Sequence, residues 1–291
     1  MSTKSDMPHS TAPIVNPHAA QPISPVALAE TLWRNRQLIG QMTKREVLGR
    51  YQGSVLGLGW SFLSPIFMLT VYTFVFSEIF RSRWGGGGGD DSKTQFAVLI
   101  FVGIILLNLF SEVLNRAPTL IVANMNYVKK VVFPVDVLPV VAMGAALFHG
   151  LASFFVLLIG FFIFNGYLQW TVIFFGFVLI PLVFFTLGLA WILASMGVFL
   201  RDIGQAVLPA TTILMFLSPV FYPITAVPIK FRTAIMINPL AFIIEQSRDV
   251  LIWGRPPDWA ALFFYFIASI LVAWTGYFWF QKTRKGFADV L

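Results

Sequence analysis

Residues 137–200 read VLPVVAMGAALFHGLASFFVLLIGFFIFNGYLQWTVIFFGFVLIPLVFFTLGLAWILASMGVFL, 64 positions without an Asp, Glu, Lys or Arg. One bilayer crossing takes about 20 mostly apolar residues over about 30 Å of hydrocarbon, so this run is too long for one helix. It is interrupted by Asn165-Gly166-Tyr167-Leu168-Gln169-Trp170, a turn signal flanked by interfacial aromatics. The stretch therefore predicts two membrane helices joined by a short loop.

The same measure applied outward finds four more uncharged runs. They comprise 27 residues between Arg50 and Glu78, 18 between Lys93 and Glu112, 27 between Asp202 and Lys230, and 23 between Asp258 and Lys282. Each fits one helix, giving six predicted spans and both termini on one side. The whole chain agrees. Of its 291 residues 57% are hydrophobic and 11% charged, with mean hydropathy +0.79, against roughly 25% charged in a soluble domain. An ordinary soluble globule and a disordered or fibrous chain are excluded. There is no cysteine, hence no disulfide frame, thiolate metal site or cysteine nucleophile.

The net charge of +7 is unevenly spread. With the termini inside, the inner segments carry 13 Lys/Arg and 7 acids, and the outer segments 7 and 6. The positive-inside rule then predicts cytoplasmic termini. Residues 1–24 hold Pro8, Pro13, Pro17 and Pro22 without an apolar core, and read as a flexible tail rather than a signal peptide. Ser24-Pro25 has the form of an N-cap followed by proline at the first helical position. From there to Arg50, apolar Leu28, Leu32, Trp33, Ile39 and Met42 alternate with Arg34, Arg36, Lys44 and Arg45, the pattern of an amphipathic helix on the inner membrane surface. Between Pro219 and Asp258, six prolines surround apolar pieces too short to cross. They predict two short helices dipping back into the outer leaflet.

The chemistry of catalysis is missing from the chain. The Gly85–Gly89 run does not lead into the Gly-Lys-Ser/Thr ending of a phosphate loop and reads as a solvated connector, so any driving ATP is hydrolysed by another subunit. The three histidines, His9, His18 and His149, have no metal-ligand spacing. No carboxylate interrupts the uncharged runs, which argues against a proton-coupled secondary transporter. Asp136, Asp202 and His149 are too scattered for a membrane glycosyl- or acyltransferase. Gly49, Gly53, Gly57 and Ser61 recur every fourth position, a row that on a helix gives close packing or clamps the surface helix to the first span. Lys129-Lys130 is equally a topology signal or a docking element for a cytoplasmic motor.

Several fragments, in order, carry a resemblance. They are Arg50-Tyr51-Gln52-Gly53-Ser54-Val55-Leu56-Gly57 with Trp60, Asn126-Tyr127-Val128-Lys129-Lys130-Val131-Val132-Phe133-Pro134 with Leu138-Pro139, and Arg201-Asp202-Ile203. Ser218-Pro219-Val220-Phe221-Tyr222-Pro223, Asn238-Pro239, Arg248 and Gly286-Phe287-Ala288-Asp289 complete the set. Together they resemble the membrane subunit of ABC-type polysaccharide exporters, the type 2 permeases that move O-antigen, capsule or teichoic acid polymers.

The resemblance implies an all-α polytopic protein divided into a tail (1–24), a cytoplasmic interface helix (25–50) and a six-span permease domain (51–291). It implies a homodimer in the bacterial inner membrane, bound to two copies of a cytoplasmic ABC ATPase that hold the ATP and magnesium, with no cofactor on this chain. Its other partners would be membrane lipids and a lipid-linked polysaccharide, not nucleic acid. Arg34, Arg36, Asn126, Lys129 and Lys130 would be gripped by the ATPase. Tyr72, Phe76, Phe216, Phe221 and Tyr222, on the first and fifth spans, would line the pathway, because sugar C–H faces lie well on aromatic rings. Arg50, or Lys129-Lys130, would attract the carrier's pyrophosphate through guanidinium or ammonium contacts with phosphate oxygens. The competing reading is a type 2 ABC permease for a small amphiphile such as a drug or lipid.

Overall fold

The computed structural model describes residues 24–76, 91–126 and 133–290, which contain helices and no strand. The tail, the Gly85–Gly89 run, and Lys129 and Lys130 lie outside the described residues. Among the described residues five helices are long and apolar enough to cross a bilayer: Gly57–Phe76, Gln95–Ala123, Val135–Asn165, Trp170–Phe199 and Trp259–Gly286. A polytopic membrane protein is the consequence.

The chain enters through α1 (Pro25–Arg34), whose first turn is capped by the Ser24 hydroxyl accepting from the Ala27 N–H at 3.1 Å. The single helix expected over 25–50 is broken at Asn35. Its side-chain amide donates to the Thr31 carbonyl, and α2 (Arg36–Arg50) restarts beyond it. Competition of this kind between an amide side chain and the backbone is why Asn punctuates helices. α2 buries Met42 and Val47 and crosses α5 (Leu138–Asn165) at Gly144, where a Cβ would stand 2.8 Å from the Thr43 hydroxyl.

The small-residue row is a correction. Residues 51–56 form turns, Gly53 and Gly57 have φ of +84° and +51°, and nothing lies within 4 Å of a Cβ built on Gly49, Gly53 or Gly57. The two positive-φ glycines serve the reversal between α2 and α3 (Trp60–Phe74) rather than packing a helix. Gly53→Ala, forcing a Cβ into left-handed backbone, is expected to cost about 1–2 kcal/mol. A fall in the thermal unfolding midpoint of the purified protein would register it, and an unchanged midpoint would contradict this reading.

α4 (Asp91–Arg116) is the hub. The most apolar window of its crossing is 83% buried, against 11% for the crossing that contains α3. α5 ends at Asn165 because Gly166 takes φ +74°, and α6 (Phe175–Phe199) returns from the short loop read in the sequence. α7 (Ile203–Leu217) is only 15 residues, about 22 Å at 1.5 Å per residue. It stops where the proline-rich outer segment was expected to begin, because Ser218 precedes Pro219 and is extended (φ −95°, ψ 147°). α8 (Ile229–Met236) buries none of its residues. α9 (Pro239–Arg248) buries most of its length, and α10 (Trp259–Thr283) makes the last crossing.

Polar contacts sort the loops into two ends. At one end the 166–171 loop holds the 249–254 segment, with Thr171 Oγ1 donating to the Val250 carbonyl at 2.5 Å and Gln169 Nε2 to the Ile252 carbonyl at 3.2 Å. Nearby, Arg248 is fully buried. Its Nε donates to the Leu99 carbonyl (3.1 Å), Nη1 to Pro219 O (2.6 Å) and Glu245 Oε1 (2.7 Å), and Nη2 to Val220 O (2.9 Å). Asn238 Nδ2 donates to Ser218 Oγ at 2.8 Å, while its own Oδ1 caps α9. Three fragments that carry the resemblance, Ser218–Pro223, Asn238-Pro239 and Arg248, thus meet in one knot.

At the other end α2 faces Arg116 through Glu46. Buried Asp136 accepts from Gln281 Nε2 (3.2 Å) and lies 3.9 Å from Arg284, and Trp191 Nε1 donates to the Asp136 carbonyl. α2 and the last helical residues therefore occupy the same end of the molecule.

Candidate groove between the first, second and third crossings

A groove of about 480 Å³ runs along α3 and α4 from the end that holds α2. Arg50 and Tyr51 form its mouth. Trp60, Ser61, Ser64 and Tyr72 come from α3, Phe101 and Asn108 from α4, His149 and Ser153 from α5, and Phe221 from the segment after α7. Phe101 and Glu112 are 11 residues apart on α4, about 16 Å along its axis. The wall so measured covers about half of the hydrocarbon thickness.

The mouth is held by ion pairs. Arg50 Nη2 lies 2.8 Å from Glu112 Oε1, with 43% of the Arg50 side chain exposed. Arg116 pairs with Glu46 and stands 4.0 Å from the same Glu112 carboxylate. Four charges thus link α2 to α4, and α2's last residue points its cation at the groove. Beside it the Tyr51 hydroxyl and His149 Nδ1 are 3.2 Å apart, their rings meeting edge to face. His149 is a groove-wall residue bonded to the turn after α2.

The opposite end is aromatic. Phe76 has its ring centroid 6.4 Å from both Tyr72 and Phe221 and 5.5 Å from Phe96. Of the five rings expected on a pathway, Tyr72 and Phe221 line the groove and Phe76 joins them. Phe216 is elsewhere, 63% exposed on α7, and Tyr222 keeps it company by donating its hydroxyl to the Phe216 carbonyl at 3.1 Å. Among the residues expected to meet the ATPase, the described ones, Arg34, Arg36 and Asn126, do not line the groove. Arg34, Arg36 and Asn126 are exposed, Arg36 lying 4.8 Å over the Trp33 ring and donating to the Trp33 carbonyl.

A second cavity of about 550 Å³, between α3 and α5, is lined by Ile66, Leu69, Val156, Ile159 and other apolar groups. Its threonines, Thr70 and Thr73, spend their hydroxyls on the Ile66 and Leu69 carbonyls. With no free polar group it has nothing with which to orient a ligand. The groove does, and sequence reasoning missed part of its polar wall: Ser61, Ser64 and Asn108. The available signal was a single Asn in the apolar run Ile105–Phe110.

The sequence profile of the ABC-2 type transporter family matches residues 37–252, which takes in the groove and the Arg248 knot. The chain belongs to the ABC-2 type transporter family. As a permease of that family it is a transport subunit and not the ATPase, and membership implies an ABC ATPase partner. It is similar to the O-antigen export system permease protein RfbA of Myxococcus xanthus, 27% identical over 266 residues that cover 91% of this chain and 99% of that protein. Two Klebsiella pneumoniae proteins of the same name are 26% and 24% identical over 258 residues, 87% of this chain and 95% of theirs.

Proposed function

We propose that this permease is the membrane subunit of an ATP-driven exporter that carries a lipid-linked polysaccharide of the O-antigen kind across the bacterial inner membrane. The observation that carries this reading is the groove. It gathers a cation, Arg50, at one end and a group of rings, Tyr72 and Phe221 backed by Phe76, at the other. A diphosphate headgroup suits the first, since a guanidinium fork matches phosphate oxygens. A sliding sugar chain suits the second, since ring stacking tolerates translation better than fixed hydrogen bonds. The names of the curated relatives point to the same cargo.

In this reading two copies form the channel and two ATPase subunits grip α1, α2 and the inner segment through Arg34, Arg36, Asn126, Lys129 and Lys130. The Glu46–Arg116 and Arg50–Glu112 pairs would pass the stroke from α2 to the groove wall. Phe216 and Tyr222 would belong to the pathway in the assembled dimer. α7 and the irregular 218–228 segment would make a fifth crossing, and α8 and α9 would sit in the outer leaflet. Six crossings would return the chain to its starting side, and the excess of Lys and Arg there supports a cytoplasmic location for it.

Arg50→Gln is expected to reduce surface polymer about tenfold or more, the equivalent of one charge-assisted hydrogen bond. The variant should still co-purify with the ATPase. Wild-type export from it would remove Arg50 from the mechanism. Polymer reaching the surface normally in a strain lacking this chain would remove the whole reading.

A further inference from the structure

The groove's polar wall contains groups the fold does not use. Ser61 is 4% exposed, and its Oγ has no hydrogen-bond partner among the described residues. Asn108 is exposed into the groove from the middle of an apolar helix, and neither its amide nor the Ser64 hydroxyl bonds to any described group. An amide carries two donors and an acceptor with two lone pairs. Leaving it unpaired at membrane depth is costly unless something polar occupies the space before it. The neighbouring hydroxyls behave otherwise: Ser111 and Ser153 both donate to carbonyls of their own helices. Asn108, Ser61 and Ser64 are thus set apart as groups left free on one lined surface.

Their position is informative. Asn108 stands one turn outward of Glu112, the partner of Arg50, about 6 Å along the helix axis. Phe101, Tyr72 and Phe221 lie further along the same groove. The order is therefore Arg50 at the mouth with Tyr51 and Trp60 beside it, then the amide and hydroxyls, then Phe101, Tyr72 and Phe221.

We infer that Asn108, with Ser61 and Ser64, forms a site that hydrogen-bonds the hydroxyl groups of a sugar ring, the monosaccharide joined directly to the carrier diphosphate. This rests on the exporter reading and deepens it, assigning selection of a glycosylated over a bare carrier to these three side chains. A site built to bond a hydroxyl discriminates against a ligand lacking it, because its own polar groups are then left unpaired.

The test uses the permease–ATPase complex in lipid nanodiscs, with ATPase stimulation as the readout. The probes are a polyprenyl diphosphate bearing a disaccharide and the same polyprenyl diphosphate without sugar. The glycosylated probe should half-stimulate the wild-type complex at about tenfold lower concentration, and Asn108→Leu should erase that difference by weakening the glycosylated probe alone. Ser61→Ala should act in the same direction with a smaller shift. Equal potency of the two probes on the wild type overturns the sugar site, as does an Asn108→Leu shift shared by both probes or absent from both. So does loss of assembly in that variant, which would make Asn108 a bond between helices of two copies. A wild-type complex that responds to neither probe overturns the exporter reading itself, and the sugar site with it.

Discussion

Arg248→Met is expected to lower the unfolding free energy by about 3–5 kcal/mol, the loss on breaking a buried ion pair from one side. The guanidinium is buried completely and divides its donors among Leu99, Pro219, Val220 and Glu245. Two of those carbonyls belong to the turn where α7 stops, outside any regular helix. Methionine fills similar volume and supplies no donor, so these carbonyls would be stranded where water does not reach and the Glu245 carboxylate, only partly buried, would lose its partner. Burial pushes the Arg248 guanidinium toward deprotonation and the Glu245 carboxyl toward protonation, and the pairing between them opposes both shifts. A net stability of 5–15 kcal/mol is typical, so the loss is a large share. A drop of roughly 10 °C in the thermal midpoint of the detergent-purified protein would be its signature.

Two further variants separate charge from geometry. Arg248→Lys keeps the cation but replaces a planar fork by a single ammonium, which cannot reach all three carbonyls on two separate stretches of backbone. It should lose about 1–3 kcal/mol. Arg248→Met combined with Glu245→Gln should be less damaged than Arg248→Met alone, because no buried charge is left unpaired. A lysine variant with the wild-type midpoint would mean that the carbonyls do not depend on the fork.

The knot also marks how far the sequence was legible. The crossings are encoded in the absence of charge over stretches of 18 to 64 residues, a property of one segment at a time, and the Asn165-Gly166 turn is equally local. The stop at Ser218-Pro219 is local too, a residue before proline at the head of a proline-rich segment. Gly53 and Gly57 were misread because four-residue spacing is shared by a packing stripe and by glycines that turn the chain. Only the sign of φ distinguishes them. The partners of Arg248 could not be read at all, since Leu99 and Val220 lie 149 and 28 residues away. The candidate groove divided in the same way. Tyr72, Phe221 and Arg50 were placed by residue type and span, whereas Asn108, Ser61 and Ser64 acquire meaning only when α3 and α4 face each other. The Glu112 partner of Arg50 likewise comes from another crossing.

Gly276→Leu is expected to yield no folded protein. α6 and α10 touch backbone to backbone at this position. A Cβ on Gly276 would lie 2.9 Å from the Gly188 Cα and closer still to its carbonyl, and a Cβ on Gly188 would lie 2.7 Å from the Ala273 nitrogen. Neither obstacle is the end of a side chain that can swing aside, so the helices must part. Small residues that admit such an approach drive association between membrane helices, where burial from water contributes nothing. Separation would also disturb the end that holds α2, where Trp191 and Gln281 of these two helices hold Asp136 and Ser195 meets Thr283 at 2.6 Å. Gly276→Ala, adding the single offending atom, should already be destabilised by more than the 1–3 kcal/mol usual for overpacking. Gly40→Ala is the internal control. It lies within α2 with nothing inside 4 Å of its Cβ, and should gain about 0.5–1 kcal/mol from helix propensity. If Gly276→Ala and Gly40→Ala shift the thermal midpoint alike, α6 and α10 do not pack as closely as their glycines permit.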